Sequence, residues 1–225
     1  IERAPNLLKQ FDEPRRLTLE NLQSGAALFL WGMFKKVVIA DNLSPIANRA
    51  FADPASMTSG ELMVGLLAFT FQIFGDFSGY SDMARGIARI LGIRLMLNFN
   101  IPYVSRTPSE FWTRWHISLS SWLRDYLYVP LGGNRGGPTK TYRNLFLTML
   151  LGGLWHGASW TFVAWGAFHG AILIVYRALD VDRWLARQSG QGVSARVRDI
   201  ALVVIMFTLT IFGWLLFRAQ DMGAV

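Results

Sequence analysis

Three histidines are the side chains best suited to proton chemistry in this chain: His116, His156 and His169. An imidazole takes up and returns a proton near neutral pH, which makes it the usual general base for a hydroxyl nucleophile. His156 stands in Gly152-Gly153-Leu154-Trp155-His156-Gly157, with no charged residue for many positions on either side. An apolar setting favours the uncharged ring, and the uncharged ring is a base. His116 lies four residues from both Trp112 and Ser120, on the border of an apolar stripe, while His169 precedes Gly170 and has no obvious polar companion. A histidine in an apolar run can also do no more than bond a backbone carbonyl or a neighbouring helix. Periodicity alone favours that plainer reading at His156 and favours it more strongly at His169; His116 can equally be an interfacial residue.

Other chemistries find less support. The chain has no cysteine, which excludes disulfides, thiolate metal sites, S-acylation and a cysteine acyl-enzyme within these residues. No His-Glu-x-x-His pattern is present, so no metal site is expected. Gly75-Asp76-Phe77-Ser78-Gly79 looks like a nucleophile elbow but lacks the Gly-x-Ser-x-Gly spacing, and Ser78 is set aside. The glycines of Leu131-Gly132-Gly133-Asn134-Arg135-Gly136-Gly137-Pro138 could cradle a phosphate, yet no P-loop or dinucleotide fingerprint accompanies them, so a turn-rich loop is the simpler reading.

The elements that must position these residues point to a bilayer. Of 225 residues, 52% are hydrophobic and 16% charged, against roughly 25% charged in soluble domains. Sixteen Phe and nine Trp fit a membrane protein, since Trp sits well at the headgroup level. The net charge of +7 comes from basic residues in the stretches between apolar runs rather than on one soluble face, so the partner is the lipid bilayer and not nucleic acid.

The expected fold is all-α, a multi-span integral membrane protein. Leu62 to Tyr80 is a near-continuous apolar run interrupted by Gln72 and Asp76, close to the roughly 20 residues that span hydrocarbon. Asp76 can reach interfacial water or act as an intramembrane carboxylate. Ile200 to Phe217 is a second clear span. Gly25 to Ala40 reads as a helix of awkward polarity, in which Lys35 and Lys36 are expected to snorkel to headgroups. Residues 145 to 176 carry no Asp, Glu, Lys or Arg. One unbroken helix there would be on the order of 48 Å long, against a core of about 30 Å. A break near Gly157 is therefore expected, with Ser159 capping a second helix from Trp160 and a broken or re-entrant pair around His156. Thr107-Pro108-Ser109-Glu110 reads as a capping box opening a helix to about Leu123, whose stripe of Phe111, Trp112, Trp115, Leu119, Trp122 and Leu123 should lie at an interface or dip into the protein.

Three separated strings in order carry a resemblance: Phe74-Gly75-Asp76-Phe77-Ser78-Gly79-Tyr80-Ser81-Asp82, Phe111-Trp112-Thr113-Arg114-Trp115-His116-Ile117-Ser118-Leu119, and Leu154-Trp155-His156-Gly157-Ala158-Ser159-Trp160. The chain resembles the membrane-bound O-acyltransferase family, and within it the bacterial branch of the alginate O-acetylation membrane subunit and its relatives in cellulose and peptidoglycan acetylation. The resemblance extends over nearly the whole chain. It implies one domain over residues 1 to 225, a central portion of a longer protein, with many helices enclosing a tunnel. In that tunnel an acyl donor, acetyl-CoA or another acyl thioester, reaches the family's histidine from the cytoplasmic side, and no resident cofactor is expected. His156 matches that histidine by its Trp-His-Gly setting, and His116 matches the branch's second one. Asp76, Trp115 and Trp155 become candidates for the tunnel or substrate. The implied partners are periplasmic acetylation proteins and an exported polysaccharide such as alginate, and the implied place is the bacterial inner membrane.

Two rivals come from other classes. Broken helices and proton-relaying histidines also suit a transporter or channel, although no second copy of the Trp-His-Gly or Phe-Gly-Asp-Phe strings marks an internal repeat. A scaffold that recruits periplasmic enzymes without chemistry of its own is the other. Residues 81 to 143 hold nine Lys or Arg against three Asp or Glu, and 177 to 199 are Arg-rich, so the positive-inside rule places both on the cytoplasmic side. Single cysteines at Thr139 and Ser189 test this in intact cells. Protection of both from an impermeant thiol reagent is expected; labelling of either overturns the topology.

Overall fold

The computed structural model describes residues 1–12, 14–188, 192–220 and 223. Ser189 thus lies outside the described residues. Every regular element among them is helical, and the chain divides into two compact units, Ile1–Asn98 and Phe99–Val225. Helices covering Leu19–Ala52, Ser59–Ile90, Trp160–Ala178 and Val193–Arg218 are long and apolar enough to cross a membrane.

In the first unit a short α1 (Ala4–Leu8) precedes α2 (Leu19–Phe34), which widens into a π-helical stretch at Lys35–Ala40 and runs on as α3 (Asp41–Ala52). After a turn, α4 (Ser59–Ile90) returns alongside. Its start is fixed by a reciprocal cap: the Glu61 N–H donates to Thr58 Oγ1 at 3.3 Å, and the Thr58 N–H donates to Glu61 Oε2 at 2.9 Å. The helix continues ten residues past Tyr80, through a stretch whose charges read as the start of a basic loop. Glycines let α2 and α4 meet backbone to backbone. A Cβ on Gly32 would lie 2.5 Å from the Gly79 carbonyl oxygen, and one on Gly25 would lie 2.7 Å from that of Gly86.

The π-helical stretch changes the fate of its lysines. Lys35 does not snorkel: it is buried, with Nζ 2.7 Å from Asp82 Oδ2 and donating to Ser78 Oγ at 3.0 Å, while Arg85 holds the other Asp82 oxygen at 3.0 Å. A buried cation needs such a partner, because burying it alone costs several kcal/mol. Lys36 is half-buried and pairs with Asp41 at 2.8 Å and Asp76 at 2.7 Å.

In the second unit, two short helices, α5 (Pro108–Arg114) and α6 (Ile117–Leu123), lead into a π-helical turn at Arg124–Tyr128 and then the glycine-rich loop. The single helix expected from Pro108 to Leu123 is broken at Trp115-His116, where His116 takes left-handed backbone angles, φ 41° and ψ 53°. Most of the stripe is buried: Phe111, Trp115, Leu119 and Leu123 face the protein interior, while Trp112 is half-buried and Trp122 is exposed. Next come α7 (Pro138–His156) and α8 (Trp160–Ala178), a hairpin whose break falls at Gly157 with Ser159 as the cap of α8, as the length argument requires. Then α9 (Val181–Arg187) and α10 (Val193–Arg218) follow, so Arg196 and Arg198 belong to the first two turns of a helix rather than a loop.

The hairpin closes on glycine. A Cβ on Gly166 would sit 2.5 Å from the Met149 carbonyl oxygen, one on Gly170 would sit 3.1 Å from Phe146, and one on Gly153 would collide with the Phe162 carbonyl. Small residues at a helix contact let backbones approach where lipid offers no hydrophobic drive for association. Gly166→Ala is expected to destabilise the protein by about 1–3 kcal/mol through overpacking. Gly60→Ala, where a Cβ meets nothing within 4 Å, is the neutral control. Thermal unfolding of the detergent-solubilised protein reads both; equal midpoints would refute the seam.

Candidate active site

His156 is the last residue of α7, placed where the hairpin turns. The tight α7–α8 contact decides this position, since Gly153 and Gly166 bring the helices together just before the chain leaves α7. A Cβ on Gly157 would lie 2.8 Å from the Phe162 ring, so the residue after the histidine must also be small. Around the His156 imidazole stand Trp155 at 5.1 Å, Trp165 at 5.3 Å, Phe217 at 5.1 Å and Phe162 at 6.1 Å between ring centroids. The residue is only partly exposed. An imidazole walled by aromatic faces and edges is held in orientation with one side open, the condition for a base that must meet an incoming group.

His116 reaches the same unit by a different route. Thr107 accepts from the Glu110 N–H at 3.1 Å to start α5, but the Glu110 carboxylate bonds the Arg106 N–H at 2.8 Å instead of returning to Thr107, so only half of the expected capping box forms. Glu110 also binds Arg114 at 2.7 Å, and Arg106 reaches Asp199 of α10 at 3.5 Å. These contacts seat α5, whose Trp115 packs against Phe111 at 5.8 Å, Phe99 at 4.9 Å and Trp214 at 4.7 Å. The chain then turns at His116, and the Ser120 N–H and hydroxyl close the break by donating to the carbonyls of His116 and Trp115. Histidine is among the few non-glycine residues enriched in the left-handed region. His116 is buried, with Nδ1 3.4 Å from the Ser118 hydroxyl. Burial holds its imidazole well below the ordinary value of 6.5, at about 4, and a charge on His156 pushes the same way.

The remaining candidates divide. Trp155 is exposed and meets His156 edge-on, a place from which it can contact substrate. Trp115 is 4% exposed and serves as an anchor of the aromatic core. Asp76 belongs to the first unit, where it pairs with Lys36. Two features escaped the sequence reading. One is the Lys35–Ser78–Asp82–Arg85 cluster, although Ser78 and Asp82 are one helical turn apart and could have been read as one face. The other is the aromatic setting of His169, whose plainer reading as a buried residue holds: it packs against Trp165 at 4.8 Å and Trp112 at 5.2 Å, and its i, i+4 spacing from Trp165 was the available signal.

Several cavities open on the second unit, two of them along the α7–α8 hairpin. One of about 460 Å³ at the open end of the hairpin is lined by Asn134, Thr141, Tyr176, Arg177, Asp180 and Arg183. The other, about 340 Å³ and largely apolar, runs beside Trp112, Ile117, Leu123, Met149 and Leu173. Among the described residues no group of three His, Asp or Glu gathers to hold a metal ion.

Comparison with known proteins gives this arrangement a lineage. The chain is 50% identical over 99% of its length to a protein of Azotobacter vinelandii named "Probable alginate O-acetylase AlgI", covering 42% of that protein. It is 40% identical over 96% of its length to the peptidoglycan O-acetyltransferase of Helicobacter pylori, covering 40%, and 30% identical over 73% to the teichoic acid D-alanyltransferase of Bacillus subtilis, covering 44%. The chain therefore spans about four-tenths of the length of these relatives. A model of the membrane-bound O-acyltransferase family matches residues 5–217, and with a match of that extent the chain belongs to the membrane-bound O-acyltransferase family.

Proposed function

We propose that this chain carries the acyl-transfer centre of a bacterial inner-membrane O-acetyltransferase, which moves an acetyl group from a cytoplasmic thioester donor toward hydroxyls of an exported polysaccharide such as alginate. Acetyl-CoA is the simplest donor, and periplasmic acetylation proteins are the partners that complete the transfer. The observation that carries the reading is one unit holding both histidines, His156 at a glycine-closed helix turn and His116 on left-handed backbone. Non-glycine residues in sparsely populated backbone regions cluster at active sites. The acetyl group is favoured over D-alanyl because identity is 50% with a relative named as an O-acetylase and 30% with one named as a D-alanyltransferase.

In this mechanism the acceptor oxygen bonds to the thioester carbonyl carbon while its proton passes to the free nitrogen of His156. The C–S bond then breaks, and the imidazolium returns the proton to the departing thiolate. His116 assists by orienting the donor or polarising its carbonyl. A positioned general base contributes about 10²- to 10⁴-fold. His156→Gln keeps a polar side chain without a basic nitrogen and should lose that whole factor, whereas His116→Gln should retain measurable transfer. The measurement is acetyl transfer from labelled donor per inserted molecule of the full-length protein, which also separates the enzyme from a transporter or a scaffold. Substantial turnover by His156→Gln would sink the base assignment, and a dead His116→Gln beside it would move the role to His116.

The burial of His116 has a pH signature. With a folded value of about 4 against 6.5, the neutral ring's contribution to stability is fully present above 6.5 and is lost as pH falls toward 4. His116→Gln should flatten the acid-side loss of thermal stability in detergent between those values. An unchanged slope would show that His116 is not held neutral.

A further inference from the structure

The proposed mechanism leaves one buried histidine unused. His169 on α8 is 2% exposed, and its Nδ1 has no hydrogen-bond partner among the described residues. The same holds for the indole nitrogens of Trp112 on α5 and Trp165 on α8. The three rings are mutual neighbours, with centroids 4.8 Å apart for Trp165 and His169, 5.2 Å for Trp112 and His169, and 5.8 Å for Trp112 and Trp165. A buried polar group without a partner costs about 1–3 kcal/mol, and native proteins keep such groups few. Three of them on three touching rings call for a common partner.

The donor and acceptor pattern specifies that partner. An indole nitrogen only donates, while Nδ1 of a neutral imidazole accepts when Nε2 carries the proton. Two donors and one acceptor match a single water molecule, and buried waters make about three hydrogen bonds to otherwise unpaired groups. On α10, Gly213 makes room for the other side of the ring: a Cβ there would lie 2.8 Å from His169 Nε2. Trp165 is also the ring that His169 shares with His156, which it meets edge-on at 5.3 Å and 85°.

We propose that Trp112, Trp165 and His169 hold one buried water, and that His169 is thereby a positioning residue, setting the Trp165 ring against His156. The inference rests on the reading of His156 as the base only in naming what is positioned. His169→Phe keeps a ring of similar reach against Phe111, Trp112 and Trp165 but removes the nitrogens; His169→Gln restores polar groups without the ring.

In the full-length protein in membranes, His169→Phe inserted at the normal level should lower kcat about tenfold with donor KM unchanged, the size expected for one lost hydrogen bond. His169→Gln should recover most of that loss. In a His156→Gln background, His169→Phe should cause no further loss, because residues acting as one unit are not additive. A ring needed only for packing would give wild-type kcat with Phe and a larger loss with Gln. That result, or equal losses with both, overturns the proposal, and a further loss in the double variant overturns the route through His156. If His169→Phe fails to insert, Trp165→Phe decides, with about tenfold lower kcat expected and wild-type kcat overturning. Failure of the base assignment shows separately, as turnover by His156→Gln alone, and leaves the Phe and Gln contrast at His169 readable.

Discussion

The closest constraint in the second unit is the contact of two backbones, α7 against α8, at Gly153, Gly166 and Gly170. Apolar side chains gain little by leaving lipid for one another, so helices surrounded by hydrocarbon associate through close packing and small residues allow it. Once α7 and α8 touch at Gly153, the chain has only Gly157, Ala158 and Ser159 in which to reverse direction. The turn must be tight, Gly157 must leave the Phe162 ring its space, and Ser159 must satisfy the start of α8. The histidine that ends α7 is thereby fixed at the turn. Its position follows from backbone packing, and its orientation follows from the rings of α8 and α10 around it.

The two units solve the burial of polar groups in different ways. The first pairs charge with charge: Lys35, Asp82 and Arg85 form a chain of ion pairs with Ser78 as an added acceptor, beside the glycine contacts that join α2 and α4. The second also carries ion pairs, Arg106 and Arg114 with Glu110, but its buried histidines stand among aromatic rings, His116 near Phe99 and His169 against Phe111 and Trp165. For a base this difference matters, because a carboxylate partner would favour the imidazolium whereas aromatic walls leave the ring neutral and able to accept a proton. The family's acyl chemistry fits an environment of the second kind.

His116 shows how a local irregularity places a side chain. An unbroken helix from Pro108 to Leu123 would carry His116 on the border of its stripe, as periodicity implies. The left-handed turn instead splits the helix and leaves the imidazole buried, with Trp115 and Leu119 also in the core. Ser120 supplies bonds to the two carbonyls exposed by the break, so the irregular backbone remains satisfied.

Much of this was legible in the residues themselves. Hydropathy over Leu62–Tyr80 and Ile200–Phe217 marked spans, because crossing hydrocarbon demands long apolar helices whatever they pack against. Excess length and a Gly-Ala-Ser string located the break after His156, and motif order carried the family. The tertiary structure alone decided where pairing across the chain overrides local character. Lys35 looked like a snorkelling residue because its partners Ser78 and Asp82 lie more than forty positions away. The helix through His116 looked continuous because nothing local forbids it; the folded chain breaks it at the left-handed backbone of His116. His169 looked like a plain core residue because a sequence shows its i, i+4 neighbour Trp165 but not Trp112 or Gly213, which only folding brings to its ring. Local patterns fix what each segment must be, since they act through near neighbours and solvent, while the site's electrostatics depend on contacts that exist only after the helices have met.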